Sequence, residues 1–176
     1  MTGEDSFHPD TRALLGYGRA LSGKAHIGRR PRADQVLERL LILERCRDGR
    51  WPMRSFGADL VALFGRDLKD QDFAHLWLAP DWALVASLAA AADNAGEPGV
   101  ARLKGETACG LVLGLELVVT PLRVEPVFGD RFLGMLQPLG GQAFLDGRPL
   151  VRLRLASLHP PAAKAPAHVR LVVSNG

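Results

Sequence analysis

Apolar residues recur along this chain at two spacings, about 3.6 and 2, and the switches between them mark its elements. Leu14, Tyr17 and Leu21 share one face of a helix predicted over 10–21, with Asp10 able to cap it. Gly16 and Gly18 each weaken that helix by about 1 kcal/mol relative to alanine, so it needs a surface to dock on. Residues 22–32 combine glycine, proline and charge and read as a loop. A Leu- and Ile-rich run over 39–47 then meets Asp48-Gly49, a hairpin signal, with 51–56 as the partner strand. Pro52 argues for an edge position or a late start to the ladder.

Leu60, Leu63 and Phe64 give residues 57–65 a short helix that Gly65 ends. Residues 67–77 read as loop plus one helical turn holding Phe73, Leu76 and Trp77. The clearest helix covers 80–94, from Pro80 and Asp81 to the stop at Asn94-Ala95-Gly96, with Trp82, Val85, Leu88 and Ala92 in one stripe. Beyond it the period falls to two. Strands are predicted over 100–109, 113–119 and 131–138, with Leu113, Leu115, Leu117 and Val119 on one face and Val112, Gly114, Glu116 and Thr120 on the other. Residues 148–155 read either as one more short strand or as an appended arm, and the proline- and alanine-rich 159–167 as tail. Helix, two strands, helical insert and three antiparallel strands make an α+β pattern with helices on one sheet face.

Composition fits this picture. The chain has 176 residues, 47% apolar and 23% charged, so one globular domain with a sizeable core is expected. Its divisions are an N-terminal helix and linker (1–33), a core (34–140) and a C-terminal extension and tail (141–176). The net charge of +3 owes much to Lys24, Arg29, Arg30, Arg32, Arg148, Arg152, Arg154 and Arg170. No groove-reading helix or RNA-binding motif accompanies them, so they read as solvated and no nucleic-acid partner is expected. No apolar stretch approaches the ~20 residues of a membrane span, and the acidic, polar start is no secretory signal. Cys46 and Cys109 read as free thiols of a cytoplasmic protein.

Catalysis needs a nucleophile with its base, a metal cluster or paired carboxylates. The sequence carries no H-E-x-x-H, G-x-S-x-G or Walker motif, and His8, His26, His159 and His168 fall in predicted loops or tails. No catalytic or metal-ligating residue is therefore assigned. Nothing beside Cys109 in sequence argues for a depressed thiol pKa, so it reads as structural.

The stretches Phe56-Gly57-Ala58-Asp59-Leu60 and Phe64-Gly65-Arg66-Asp67-Leu68, then Phe73 and Leu76-Trp77, resemble a PAS domain family of alphaproteobacterial single-domain proteins, formerly a domain of unknown function. Gly-Asp-Arg-Phe-Leu-Gly (129–134) with Gln137-Pro138-Leu139 is similar to that family's last core strand. The resemblance covers about 34–140. It implies a PAS-like five-stranded antiparallel sheet with the segment 57–94 across one face. It further implies a sensory or protein-interaction role in bacterial signal transduction, acting in trans on a partner signalling protein. PAS domains often hold a metabolite or cofactor between helices and sheet, and a ligand that controls dimerisation is the alternative role. On that reading Phe56, Phe64, Phe73 and Trp77, with Trp51 and Trp82, are either cavity lining or plain core. Arg54, Arg102 and Gln137 are the polar candidates for ligand contact. His75 is either a haem ligand or a helix-surface histidine. Flavin photochemistry of the light-sensing PAS subgroup is excluded, because no cysteine lies between Arg47 and Ala108. The cofactor, if any, stays unidentified. Pairing of PAS domains through an N-terminal helix and the exposed sheet face implies a homodimer, with Leu14, Tyr17 and Leu21 in the interface.

Overall fold

The Asp48-Gly49 turn closes a hairpin. Gly49 takes φ 86° and donates to the Cys46 carbonyl at 3.1 Å, while Cys46 N–H donates to Arg50 at 2.9 Å. The structure is a computed structural model describing residues 6–21, 36–122 and 130–161. Its elements are α1 (Pro9–Leu21), β1 (Leu40–Arg45), β2 (Met53–Phe56), α2 (Ala58–Phe64), a 3-10 turn (Phe73–Leu76), α3 (Ala79–Ala95), β3 (Gly99–Thr107), β4 (Val112–Leu122), β5 (Asp130–Pro138), a second 3-10 turn (Ala143–Leu145) and β6 (Leu150–His159). The parts of the linker and tail that fall in 22–35 and 162–176 lie outside the described residues.

The strands form one antiparallel sheet in the order β2-β1-β5-β4-β3-β6. It has six strands where the sequence predicts five. The sixth is the segment left open between strand and arm. It pairs with β3 from Val100↔His159 to Thr107↔Leu150 and occupies the edge opposite β2. Leu150 and Leu153 face the core with the helices, and that burial is what recruits the segment to the sheet.

Helices cover one face, here called inner. Leu60, Leu63 and Phe64 of α2, Phe73 and Leu76 of the 3-10 turn, and Val85, Leu88 and Ala89 of α3 pack on Leu41, Leu43, Leu103, Leu115, Leu117 and Phe132. Gly65 and Gly96 end α2 and α3 in the left-handed region, both at φ 62°. Asp81, in the first turn of α3, accepts from Arg154 Nε at 2.8 Å and Leu155 N–H at 3.1 Å and so moors α3 to β6. Those donors hold its carboxyl below the usual range, with Arg154 the larger cause.

The opposite, outer face is not the exposed face that the resemblance implies. Ile42, Val100, Val118, Leu133 and Met135 make it apolar, and α1 lies over it with Phe7, Leu14 and Leu15 inserted. Glu116, Val118 and Thr120 are therefore as buried as the inner residues beside them. Covering both faces explains how a helix with two glycines persists: each large apolar side chain it buries contributes about 1.5–3 kcal/mol.

Candidate functional site

The inner layer is filled by aromatic rings. Trp51 stands 5.2 Å from Phe132 and edge-on to Trp82 at 5.5 Å, and Phe73 is edge-on to Trp77 at 5.6 Å and to Trp82 at 5.9 Å. These are packing geometries in which each ring fills its neighbour's space. Two grooves, of about 540 and 310 Å³, are lined by residues outside this layer. Of the residues expected to line a ligand cavity, Phe64, Phe73 and Trp77 are buried core here, and Phe56 is half-buried against it.

The other ligand candidates lie elsewhere. The pleat puts Leu103 and Leu136 on the inner face, which turns Arg102 and Gln137 to the outer one. Arg54 lies at the β2 edge and is spent on Glu44 at 3.1 Å and Asp70 at 2.7 Å. His75 is exposed, because Phe73 and Leu76 take the inward positions of the 3-10 turn. It borders a shallow groove of about 310 Å³ with Arg50, Pro52, Asp70, Gln71 and Asp72, away from the place a haem would occupy between helices and sheet.

What the structure does assemble is a polar row across the outer face, under the start of α1. Register places Gln137, Glu116, Arg102 and Ser157 side by side on β5, β4, β3 and β6. The Glu116 carboxylate is fully buried. Oε2 accepts the His8 backbone N–H at 3.0 Å, and Oε1 lies 3.5 Å from Arg102 Nε. Glu116 thus caps the N-terminus of α1 from the sheet, where a negative charge is favoured. Arg102 also donates to the Ser6 carbonyl at 2.7 Å and lies 5.4 Å over the Phe7 ring. Phe7 stacks edge-on against His159 at 5.0 Å, and His159 Nε2 is 3.0 Å from Ser157 Oγ. Burial, then the nearby Arg102 charge, push the His159 pKa below its ordinary 6.5, while Glu116 opposes them.

At the other end of the row Gln137 accepts from Arg39 Nη1, which also reaches Asp10 of α1 at 3.2 Å, while Arg39 Nε donates to Asp59 of α2 at 3.2 Å. These residues line an open groove of about 540 Å³ together with His8 and the loop 138–142. Sequence reasoning missed Glu116, Arg39, Phe7, Ser157 and His159. One signal was readable: a carboxylate in the middle of the apolar run 111–119 must find partners if that strand is covered on both faces.

Of the expected dimer residues, Leu14 is buried on this chain's own sheet and so does not face outward. Tyr17 does face outward, 39% exposed. The Leu21 side chain lies outside the described residues. Cys109 departs from its sequence reading. It is exposed in the β3–β4 turn, and the Thr107 hydroxyl, 3.2 Å from Sγ, is the main cause lowering its pKa. Among the described residues no group of three His, Cys, Asp or Glu is placed to hold a metal, and no helix is long and apolar enough to cross a membrane.

The first five strands lie in the order 2-1-5-4-3, with helices across the inner face between β2 and β3. The family model described as a PAS domain matches residues 6–137, from the start of α1 to the end of β5, and the chain belongs to that family. The match ends before β6. Among solved structures the chain is similar to a light-oxygen-voltage domain studied with a flavin analogue, at 15% identity over 64% of this chain and 87% of that one, TM-score 0.47. It is similar to the Rhodobacter sphaeroides LOV protein at 16% identity over 63% and 66%, TM-score 0.47. It is also similar to the blue-light-activated histidine kinase of Erythrobacter litoralis at 18% identity over 62% and 36%, TM-score 0.46. Comparison with curated proteins returns no match.

Proposed function

We propose that this PAS domain is a non-catalytic, cytoplasmic signalling module whose working part is α1 on the outer sheet face, and that it acts in trans on a partner signalling protein as a homodimer. The observation that carries this reading is the contrast between the two faces. Aromatic packing closes the inner layer, whereas the outer face holds α1 through a row of charged and polar side chains that water can also satisfy.

The helix supports the dimer. Phe7, Thr11, Leu14, Leu15 and Gly18 face the sheet, which leaves Tyr17 outward with Gly16, whose α-carbon has open space around it. A bulky aromatic beside a glycine allows two such helices to approach closely. Light scattering on the full chain tests this. The wild-type protein should run as a dimer and Tyr17→Glu as a monomer with unchanged circular dichroism. A monomeric wild type, or a Tyr17→Glu protein that stays dimeric, would remove α1 from the pairing surface.

A further inference from the structure

The first turns of α1 and α2 lie on opposite faces of the sheet, yet one short segment ahead of β1 holds both. Glu38 receives α2: its carbonyl accepts Asp59 N–H at 3.0 Å and its Oε2 accepts Ala58 N–H at 3.0 Å. The approach is so close that a Cβ at Gly57 would sit 2.2 Å from the Glu38 carbonyl carbon. Arg39 follows, with a side chain only 18% exposed. Its guanidinium reaches Asp59 of α2 with Nε and Asp10 of α1 with Nη1, both at 3.2 Å, and Nη1 also meets Gln137 of β5.

We infer that Arg39 is a positioning residue that couples α2 to α1 around the end of the sheet. This rests on the reading of α1 as the signalling helix and names how that helix is regulated. The guanidinium is planar and its donors have a fixed fork geometry, so the two edges do not reorient independently. A shift of Asp59 with α2 turns the fork and draws Nη1 away from Asp10 and Gln137. The groove of about 540 Å³ beside Arg39 gives the fork room to swing. The same fork works in reverse: lifting α1 releases Asp10 and frees the first turn of α2.

Amide hydrogen exchange on the full chain tests the coupling. Asp59 is half exposed, so Asp59→Asn leaves the fold intact. It should speed exchange of the α1 amides about two- to fivefold, the size expected for losing one partly exposed charge pair. The β4 amides, which report global opening, should not change. In an Arg39→Lys background, where one ammonium replaces the fork, Asp59→Asn should leave α1 unaffected. The inference is overturned if Asp59→Asn does not alter α1 exchange, if it acts equally with Lys at position 39, or if β4 accelerates to the same extent. The dimer measurement on Tyr17→Glu is independent of all three results, so failure of the signalling reading and failure of this coupling are told apart.

Discussion

If α1 docks on the sheet of its own chain, a disulfide should fasten it there. A Cβ built on Gly18 would lie 3.5 Å from Thr120 Cβ and 3.0 Å from its hydroxyl. Disulfides span Cβ separations of about 3.5–4.5 Å, so Gly18→Cys with Thr120→Cys meets the distance requirement. The free thiols Cys46 and Cys109 are first replaced by serine to prevent mispairing. The closed loop is about 100 residues, for which the chain-entropy account gives about 4.7 kcal/mol. Thr120 is 1% exposed, and losing its buried methyl costs about 1 kcal/mol. Both redox forms carry that loss, so the difference between them stays at about 4.7 kcal/mol and corresponds to a melting temperature higher by roughly 10–15 °C in the oxidised protein than in the reduced one. Calorimetry with and without reductant reads the shift, and a non-reducing gel reports which chains are joined. Thiols that stay titratable in a glutathione buffer would refute the docking. So would a covalent dimer on the gel, because α1 would then lie on the neighbouring chain's sheet.

Two further predictions concern the row beneath α1. Glu116→Ala removes the cap of α1 and leaves the His8 N–H and Arg102 without their partner; Arg102 is partly hydrated, so the loss in urea unfolding should be about 2 kcal/mol. A variant within 0.5 kcal/mol of wild type would mean that the carboxylate does not hold the helix. His159 has a folded-state pKa below 6.5, so its neutral form contributes stability that is complete above that pH and is lost as pH falls through 6.5 toward the folded value. Thermal stability should therefore decline on mild acidification before the carboxylates titrate, and His159→Gln should flatten the decline; an unchanged profile in that variant would clear His159 of the effect.

The fold was largely legible because its signals are local. Asp48-Gly49, Gly65, Pro80 and Gly96 each fix a backbone conformation without help from distant residues, and the elements they delimit stand within a residue or two of their expected ends. The site was much less legible, because it depends on which way each face turns. Arg102 and Gln137, the polar candidates for ligand contact, stand on the outer side of the sheet, away from the helical insert. Parity within β3 and β5 separates inner from outer, yet which parity faces the helices becomes clear only when all strands are registered together. Leu14, expected in a dimer interface, packs on its own chain's sheet for a related reason: the helical stripe is real, but periodicity says only that a face is covered, not by what. Glu116 drew no attention because a lone glutamate in a strand ordinarily points to water. Only the union of α1 with that face buries it.

The two faces also differ in what it costs to open them, and this argues for the outer one as the moving part. Separating the inner layer would expose Trp51, Phe73, Trp77 and Phe132 together with the leucines of five strands, and among the described residues no buried charge there gains hydration in return. That opening is close to global unfolding. Lifting α1 exposes Phe7, Leu14 and Leu15 and the smaller patch they cover, at about 1.5–3 kcal/mol for each side chain. The same movement returns the buried Glu116 carboxylate to water beside an arginine that is already about a third exposed, and the hydration the carboxylate recovers offsets part of that loss. What remains is a gap of a few kcal/mol, small enough for a partner with a modest preference for the lifted helix to shift the population. A buried carboxylate under the helix is therefore more than an imperfectly packed spot. By lowering the free energy of the undocked state relative to an all-apolar contact, it keeps docking reversible while the rest of the domain stays folded.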